Sequence, residues 1–530
     1  MSRRHPVTGT LRKADERLGF ASTARTAMAK VFPDHWTFML GEIAFYSFLI
    51  LVATGIYLTI FFDPSTSDTV YRGSYTPVRG HEVSAAYAST LALSWDVRGG
   101  LLIRQAHHWA AHIFIGAIVL HMCRIFFTGM FRKPRELNWT VGVTLLGLAM
   151  FNAFAGYSLP DDLLSGIGLH IFYSVALSIP VVGGWLALFA FGADFPGQAI
   201  IYRLYALHIC VVPAIIFLLV AVHLGILIKQ KHSHFAGPGR RNSNVVGSRA
   251  WPGYALRSFA LMSLVAAVVF LAGGFAQINP IWEWGDFNSA DVLSPSVADW
   301  YVAWIEGALR LFPPVQVWIF GHLIPEQFWA GALLPAATFA LLYLWPFLDR
   351  VITKDRGTHH IAASPRESPI RVAIGVCVIT FYSILLIAGG EELIVEWSRW
   401  PIAKIRLLLR CAVLATPVVT GAISYVVART LKRSEKEGLL YLSWRDFRPR
   451  RSRAEAAEPA VGESYTGPTP SDPTVPGTAV PGESIRKEPV PGPELVLHGQ
   501  DERERAEVGA DERPLTEVPT WLKRDRGESR

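Results

Sequence analysis

Residues 104–124 read RQAHHWAAHIFIGAIVLHMCR, and this stretch decides the fold. Apart from its arginines and one glutamine it is an apolar run that contains four histidines. In an α-helix, with 100° and 1.5 Å per residue, His107 and His121 lie within about 40° of each other and ~21 Å apart along the axis. His108 and His112 fall on nearly the opposite face from His121, so we interpret them as ordinary interhelical histidines. Because ionisable side chains are costly inside a membrane, the pair that shares a face is a functional candidate.

A second apolar run, 204–228, carries a matching pair of histidines. His208 and His223 are separated by about 60° in phase and ~22 Å in rise. If both helices run from outside to inside, His107 lies level with His208 and His121 lies level with His223. Imidazole is a good axial ligand for haem iron, whereas zinc or copper would require more than two protein ligands. The spacing predicts two stacked bis-histidine haem sites.

The chain as a whole is apolar enough to be a membrane protein. It has 530 residues, of which 51% are hydrophobic and 12% aromatic. A helix needs about 20 apolar residues to cross a bilayer. We therefore predict an all-α polytopic membrane protein with about eight transmembrane helices, whose first four form a bundle that encloses two haems. The eight segments, spans 1 to 8, are 38–61, 107–128, 140–159, 204–228, 256–276, 328–348, 370–389 and 405–428.

Basic residues are concentrated in alternate connections. Seven precede span 1, three follow span 2 and five follow span 4, whereas the connections after spans 3 and 5 carry only Arg203 and Arg310. Since basic residues favour the cytoplasmic side, both termini are predicted to be cytoplasmic and the chain to be a multi-pass protein of the cell membrane. This topology explains the net charge of +7 without a nucleic-acid partner. The four cysteines lie in or at the edge of apolar runs and match no zinc or haem-attachment spacing.

Composition divides the chain into five segments. The last is rich in Pro, Glu, Arg, Gly and Ser, and such a segment cannot bury enough apolar surface to order itself. Two outward connections, 161–203 and 277–327, are longer than a bundle needs, so an outer-face substrate pocket is expected there. The segments are a cytoplasmic N-terminal piece (1–35), the haem-binding bundle (36–230), a cytoplasmic loop (231–255), the remaining membrane helices with their outer loop (256–430) and a disordered cytoplasmic tail (431–530).

Glycines near the histidines would leave space for a haem, and arginines near them would supply positive charge to balance its propionates. Gly41 and Gly55 in span 1 are fourteen residues apart, as are Gly142 and Gly156 in span 3, so each pair matches the two histidine levels. A missing side chain lets a porphyrin edge approach the backbone. Three arginines are placed to pair with haem propionates, namely Arg104, Arg124 and Arg203.

Residues 31–430 resemble the cytochrome b subunit of the quinol-cytochrome c oxidoreductase (cytochrome bc) complex, in particular its actinobacterial form. The resemblance is carried by both glycine pairs, by RQAH at 104–107, HMCR at 121–124, RLYALH at 203–208, His223, and GYSLP at 156–160. It implies a subunit that oxidises quinol, expected to be menaquinol, at the outer face. Electrons would then pass through two b haems to an inner quinone site and contribute to a proton gradient.

The resemblance also implies a catalytic loop. In the family a Pro-Glu/Asp-Trp-Tyr motif supplies an acid at the outer quinol site, and the matching residues here are Ala298-Asp299-Trp300-Tyr301. A carboxylate that faces an apolar cleft can accept a proton from quinol, while the two aromatic residues shape the wall. The family proline is replaced by Ala298. Further residues expected to line this cleft are Glu306, Tyr157 and Asp161.

The residues expected at the inner quinone site depart from the mitochondrial pattern. In the mitochondrial pattern a basic-acidic pair opens span 5, but this chain has Arg257-Ser258 and so lacks the acid there. Lys229 or His232 would then supply protons. At the outer side, Gln316 stands where actinobacterial relatives carry glutamate.

Partners are implied because the sequence has neither a Rieske Cys-His motif nor a c-type haem motif. The resemblance implies a Rieske iron-sulfur subunit, a c-type cytochrome subunit, a terminal cytochrome oxidase and a homodimer in membrane lipid, with activity only in the assembled complex. Two alternatives stay open. One is a haem-bearing electron conduit or paralogue with an impaired quinol-oxidation site, and the other is a transporter whose histidines relay protons.

Overall fold

The structure is a computed structural model that describes residue 17 and residues 20–291, 298–436 and 456–457. All of these belong to one unit, Met1–Glu463. A second unit, Ser464–Arg530, lies outside the described residues. Most of the predicted tail, 431–530, also lies outside them.

Eight helices in the described part of the chain are long and apolar enough to cross a membrane, which confirms the prediction of an all-α polytopic protein. Each predicted span coincides with one of them. Span 2 begins earlier than predicted because it includes Arg104 and the buried Gln105, whose polar groups end the apolar run in the sequence. Spans 1 to 8 are Trp36–Thr59, Gly100–Phe127, Glu136–Tyr157, Ile200–Gln230, Ala250–Phe275, Phe328–Thr353, Pro369–Gly389 and Ile402–Ser434.

Spans 1 to 4 pack around a shared apolar core. Burial of such side chains contributes about 25 cal/mol per Å² of apolar area removed from water, although lipid replaces water on the outer faces. A residue from the distant outer loop, Tyr301, belongs to the same core. The buried members are Ala44, Phe48, Phe114, Ile115, Ala117, Leu145, Leu146, Ala149, Val212, Ile216 and Tyr301.

The connections between spans hold short helices and small sheets. The helices are Phe20–Ala29, Ala85–Trp95, Leu163–Leu177, Gly183–Phe191, Ile281–Trp284, Trp300–Leu311 and Glu391–Ser398. The antiparallel strand pairs are Val31–Phe32 with Val246–Arg249, Val246–Arg249 with Ala456–Ala457, Asp68–Val70 with Glu82–Ser84, and Val317–Ile319 with His322–Ile324, while His234–Phe235 pairs in parallel with Ile361–Ala362.

The two long outward connections are joined to each other. The Leu163 N–H donates to the Gly285 carbonyl at 3.0 Å, and the Phe287 N–H donates to the Asp161 carbonyl at 3.0 Å. Asp162 is fully buried at this junction, and burial raises its pKa to about 6. The junction therefore holds residues 285–287 of the second connection against the connection between spans 3 and 4.

Candidate functional site

The outer histidine tier is formed by His107 of span 2 and His208 of span 4. Their ring centroids are 6.0 Å apart, with the rings inclined at 72°. His107 Nδ1 lies 2.9 Å from Thr54 Oγ1, and His208 Nδ1 lies 2.8 Å from the Asn152 carbonyl oxygen. Hydrogen bonds of this kind orient an imidazole and leave Nε2 available as a ligand.

Glycines lie against all four predicted ligands. A Cβ built on Gly55 would lie 3.2 Å from His107 Cε1, and one on Gly41 would lie 3.4 Å from His121 Cε1. On span 3, a Cβ on Gly156 would overlap the His208 ring, whereas one on Gly142 would lie 3.8 Å from His223 Cε1. The structure thus brings each glycine to the histidine level that its spacing predicts.

The contrast between the two span 3 glycines gives a matched test. We expect Gly156→Ala to displace His208 and reduce the outer-tier haem content of the purified protein, because the added methyl group has no space. Gly142→Ala makes an ordinary van der Waals contact and should leave the haem spectrum close to wild type. Reduced-minus-oxidised absorption spectra of both variants measure the effect. Equal loss in both variants, or in neither, would contradict it.

A cavity of ≈380 Å³ opens beside the outer tier. His107, His208, Gly55, Gly156 and Arg104 all line it. The Nε and Nη2 atoms of Arg104 are buried and have no hydrogen-bond partner among the residues that the structure describes. A buried guanidinium without a partner fits the propionate of a haem, which would supply the missing acceptors.

The inner tier shares the buried arginine without a partner, but in the described part of the chain its imidazoles lack the Nδ1 hydrogen bonds of the outer tier. The Nδ1 atoms of His121 and His223 are buried without a hydrogen-bond partner within the described ranges, as are Nε and Nη2 of Arg124. The Arg124 guanidinium lies 4.0 Å from the centroid of the Phe38 ring. These residues therefore also fit a haem, with Arg124 in place for a propionate.

Unlike Arg104 and Arg124, the predicted cofactor-binding residues Arg203 and Arg257 have hydrogen-bond partners within the protein. Arg203 is exposed and donates to the Phe189 carbonyl, so it binds the end of the helix Gly183–Phe191. Arg257 donates to Asp34 Oδ1 at 2.7 Å near the start of span 1. The structure does not place Arg203 on the cavity that Arg104 lines. Its sequence position five residues before His208 could not reveal this, because the acceptor comes from a separate helix.

Asp299 lies in a buried cluster at the start of the helix Trp300–Leu311. Its Oδ2 atom accepts from the Tyr301 hydroxyl at 2.8 Å and lies 2.9 Å from His108 Nε2, while its Oδ1 lies 3.6 Å from His112 Nε2. An aspartate at a helix start usually caps the helix with its side chain. Asp299 does not, since its carboxylate turns to span 2 instead. The helix start thus positions an acid toward the bundle.

The protonation state of Asp299 follows from opposing effects. Burial alone would raise its pKa, but His108, His112 and the Tyr301 hydroxyl together outweigh burial and hold the pKa below its ordinary value. Asp299 is therefore a carboxylate at neutral pH, which is the form that can accept a proton. Burial and the neighbouring carboxylate raise the pKa of Tyr301 well above 10, so its phenol remains a donor.

His108 and His112 do connect separate elements, as we interpreted them, but their shared partner is the predicted catalytic acid. Their spacing of four residues places both on one face of span 2, and this was the available signal. Nothing local in the sequence pairs that face with a residue 191 positions away. The contact depends on how the long outer loop folds back onto the bundle.

Glu306 contacts the loop backbone and a cation. Its Oε2 accepts the Ala298 N–H at 3.3 Å, and its Oε1 pairs with Arg310, which also lies 3.2 Å from Glu392 Oε2. Burial raises the pKa of Glu306, while Arg310 opposes this effect. Proline would have no N–H at position 298. The alanine therefore provides an anchor that the family residue would lack.

Of the other residues predicted to line the cleft, some lie on the cavity wall and others lie elsewhere. Tyr157 lines the outer cavity together with Tyr301, and the Trp300 and Tyr301 rings meet edge to face at 6.2 Å. Asp161 is buried at the junction of the two outer connections rather than on the cavity wall. Gln316 is exposed just before the strand Val317–Ile319.

At the inner end, the structure places a carboxylate beside Ser258. The hydroxyls of Ser258 and Tyr254 donate to Glu42, and that of Tyr46 does so at 3.4 Å. The acid that span 5 lacks is thus present in space on span 1, which the sequence analysis missed. No sequence signal distinguished Glu42 from an ordinary acid in the first turn of a helix.

Lys229 and His232, the two predicted proton donors of the inner site, differ in their surroundings. Lys229 lines an open cavity of ≈700 Å³ on this face together with Lys231 and His360. Burial, followed by the charges of Lys30, Arg135 and Arg124, lowers the pKa of His232 to about 4. His232 is therefore neutral at physiological pH and holds no extra proton to donate.

Comparisons with known proteins show which family the chain resembles. Residues 112–285 match the family described as cytochrome b(N-terminal)/b6/petB. A protein named cytochrome bc1 complex cytochrome b subunit from Mycobacterium leprae is 46% identical over 423 residues, covering 80% of this chain and 77% of that protein. The protein of the same name from Streptomyces coelicolor is 44% identical over 428 residues, covering 81% of this chain and 78% of that protein.

A solved structure is similar in fold. A chain of a hyperthermophilic respiratory Complex III aligns with a TM-score of 0.59 at 21% identity, covering 78% of this chain and 99% of that one. This similarity supports the same helical architecture.

Proposed function

Because the chain belongs to the family of cytochrome b subunits of the cytochrome bc1 complex, and is thus a membrane component of a respiratory oxidoreductase, we propose that it oxidises quinol beside Asp299. The observation that carries this proposal is the buried Asp299 carboxylate, which His108 and Tyr301 hold next to the cavity of the outer histidine tier. The expected substrate is menaquinol, as the resemblance implies.

The family implies haem b, and we propose that the chain binds two. His107 and His208 would hold the outer haem, and His121 and His223 would hold the inner one. When bound, such haems supply one-electron carriers stacked across the membrane. Arg104 and Arg124 would bind propionates, since their buried guanidinium atoms lack other partners in the described part of the chain. Arg203 contributes less directly, by holding the neighbouring helix end.

Around the outer site each residue has a separate role. Asp299 accepts a proton from a quinol hydroxyl, because it is ionised and buried. Tyr301 and His108 hold its carboxylate in place, and Tyr157 and Trp300 provide the aromatic wall. Glu306 is a positioning residue, since it holds the backbone immediately before Asp299.

The role of Glu306 can be separated from proton chemistry by two variants. Glu306→Gln keeps an oxygen that can accept the Ala298 N–H, whereas Glu306→Ala removes it and leaves Arg310 with one acceptor fewer. Losing a charged hydrogen bond costs about 1.5–3 kcal/mol, so we expect Glu306→Ala to lower quinol kcat/KM by roughly 10- to 100-fold. Glu306→Gln should retain most of the wild-type kcat/KM. If both variants lose activity equally, Glu306 acts through its charge and not as an anchor.

At the inner face we propose reduction of a second quinone near the start of span 5. The support is the polar group of Glu42, Tyr46, Tyr254 and Ser258, with Arg257 paired to Asp34 beside it. Electrons would thus cross from the outer to the inner side, and protons taken up inside and released outside would build a gradient. Lys229 borders a separate open cavity and could bring protons from the inner surface.

We further propose the assembly and placement that the sequence implies. The chain would lie in the cell membrane with both termini cytoplasmic, divided into the five segments described above. It would act as a translocase only with Rieske and c-type cytochrome subunits, in a homodimer associated with a terminal oxidase. The lack of a Rieske or c-type haem motif in this sequence supports the need for partners.

The test is quinol-driven reduction of cytochrome c by the purified assembled complex. Turnover supports quinol oxidation at the outer site. The rival function, an electron conduit, rests on the departures Ala298 and Gln316. Reduction of the b haems through the inner site, without cytochrome c reduction, would favour that conduit. The anchored Ala298 N–H argues against it, because the loop is held without proline.

A further inference from the structure

Three aspartates form a row that leads from the interior of the outer connections to the protein surface. Asp162 is fully buried, Asp286 is half-buried and Asp68 is exposed. Asp162 and Asp286 are opposed in an antiparallel bridge, so their Cβ atoms lie about 4.5–5.5 Å apart on one face. Asp286 Oδ1 accepts from the N–H and from the hydroxyl of Ser84, each at 3.2 Å. Ser84 is the strand partner of Asp68, which completes the row.

The buried end of the row has a free oxygen that can take a proton. The Ser165 hydroxyl donates to Asp162 Oδ1 at 2.7 Å, whereas Asp162 Oδ2 is buried and has no hydrogen-bond partner among the described residues. A buried carboxylate oxygen without a donor is poorly stabilised as an anion, and protonation removes this cost. Since the pKa of Asp162 is raised to about 6, both its ionised and its protonated form are accessible near neutral pH.

The pKa values along the row favour outward movement of a proton. The pKa of Asp299 lies below its ordinary value, so a proton held there moves to Asp162 with a gain in free energy. Burial, together with the charges of Asp161 and Asp68, raises the pKa of Asp286 to about 6 as well. A proton can therefore pass from Asp162 to Asp286 at little cost and reach a side chain that is open to the surface.

The buried end also faces the outer cavity. The charges of Asp162 and Asp299 both act on the Tyr157 hydroxyl, and Tyr157 lines that cavity. A phenol hydroxyl can accept one proton and release its own, because it is both an acceptor and a donor. Tyr157 can thus connect the two carboxylates without a lasting change in its own charge.

Titratable and charged groups face Asp162 from four parts of the fold. Arg104 of span 2 and Tyr157 of span 3 face it from the bundle, and Asp286 faces it from the second outer connection. Tyr87, from the connection between spans 1 and 2, lies near both aspartates of the bridge. Hydrogen bonds and the Arg104 charge act against burial. They keep the pKa of Asp162 from rising further, so the side chain can release a proton again.

We propose that Asp162 relays the quinol proton from Asp299 to the outer surface. Asp299 gives the proton to the Tyr157 hydroxyl oxygen, and this hydroxyl releases its own proton to Asp162 Oδ2. Asp286 then takes the proton from Asp162 and releases it at the surface beside Asp68. Each carboxylate returns to its ionised form, so the row is ready for the next proton. The relay rests on the proposed quinol oxidation, for which it provides the exit.

The experiment follows quinol-driven cytochrome c reduction by the purified assembled complex at pH values on both sides of 6. The wild-type rate should fall as the pH drops through about 6, because an Asp162 that is already protonated cannot accept another proton. Asparagine keeps an oxygen for the Ser165 hydroxyl but takes up no proton. We expect Asp162→Asn to lower the rate at neutral pH by roughly 10–100-fold and to lose the fall near pH 6.

Three further measurements separate the relay from a structural role. Asp286→Asn, at a half-buried position, should also slow turnover and lose the fall near pH 6. The exposed Asp194→Asn, in the same connection as Asp162, is the matched control and should behave as wild type. Infrared difference spectra of the resting complex, taken above and below pH 6, should contain a carboxylic acid band that Asp162→Asn removes. Haem spectra and subunit content check the assembly of each variant.

The outcomes keep the relay and the proposed function apart. A wild-type rate and pH profile in Asp162→Asn would overturn the relay. A slower rate with an unchanged pH profile would also overturn it, since that result marks a structural role at the junction. If the assembled wild-type complex does not oxidise quinol at any pH, the proposed function fails and the relay fails with it.

Discussion

Replacing His208 by leucine is expected to remove the outer b haem and to abolish quinol-driven cytochrome c reduction. His107 would remain as the single imidazole of its tier, and one imidazole does not make the bis-histidine site that low-spin b haems use. The inner pair, His121 and His223, is left intact. We therefore expect the reduced b-haem absorbance to fall by about half and one of two steps in a redox titration to disappear.

The exposed His81 offers a control of the same chemical change, because it lies in the connection between spans 1 and 2 and not in a membrane helix. His81→Leu should keep both titration steps and normal turnover. Two remaining haem steps in His208→Leu would show that the outer iron takes another ligand. The assignment of the tier would then be wrong.

The second large effect is expected for Asp299→Asn. Asparagine keeps an oxygen at the position that contacts the Tyr301 hydroxyl and His108 Nε2, so the loop geometry should survive. The side chain can no longer accept a proton at neutral pH. A positioned proton acceptor typically accelerates a reaction by about 10²–10⁴-fold. We therefore expect kcat for quinol oxidation to fall by a similar factor. Stopped-flow reduction of cytochrome c measures it, with haem content and subunit assembly unchanged.

Asp291→Asn is the matched control, since Asp291 is an exposed acid in the same outer connection. It should leave kcat within twofold of wild type. If Asp299→Asn turns over at a similar rate, another group takes the quinol proton. The search would then begin with His112, which faces the same carboxylate.

Features set by helical periodicity were predictable from the sequence. The eight membrane helices follow from runs of apolar residues, and the four histidines and four glycines follow from fourteen- and fifteen-residue spacings on single helices. Such spacings fix which residues share a face and a level before any tertiary contact is known. The structure accordingly brings Gly55 to His107 and Gly41 to His121.

Features that join separate segments were not predictable in this way. Asp299 binds His108 across 191 residues, and Glu42 on span 1 supplies the acid beside Ser258 on span 5. The partner of Arg203 also could not be predicted, because Arg203 donates to the Phe189 carbonyl at the end of a separate helix. In each case a separate connection or a distant helix decides the partner, and single-helix geometry contains no information about it.

The adjacency of His107 and His108 has a consequence for how this protein can vary. One peptide bond separates the proposed haem ligand from the residue that holds the proposed proton acceptor, and both side chains are carried by the rigid helix Gly100–Phe127. A rotation of this helix by 10° would move both side chains together, in directions about 100° apart. The proposed redox centre and the proposed proton site would therefore be mechanically linked, and we expect changes that retune one alone to come from residues on other helices.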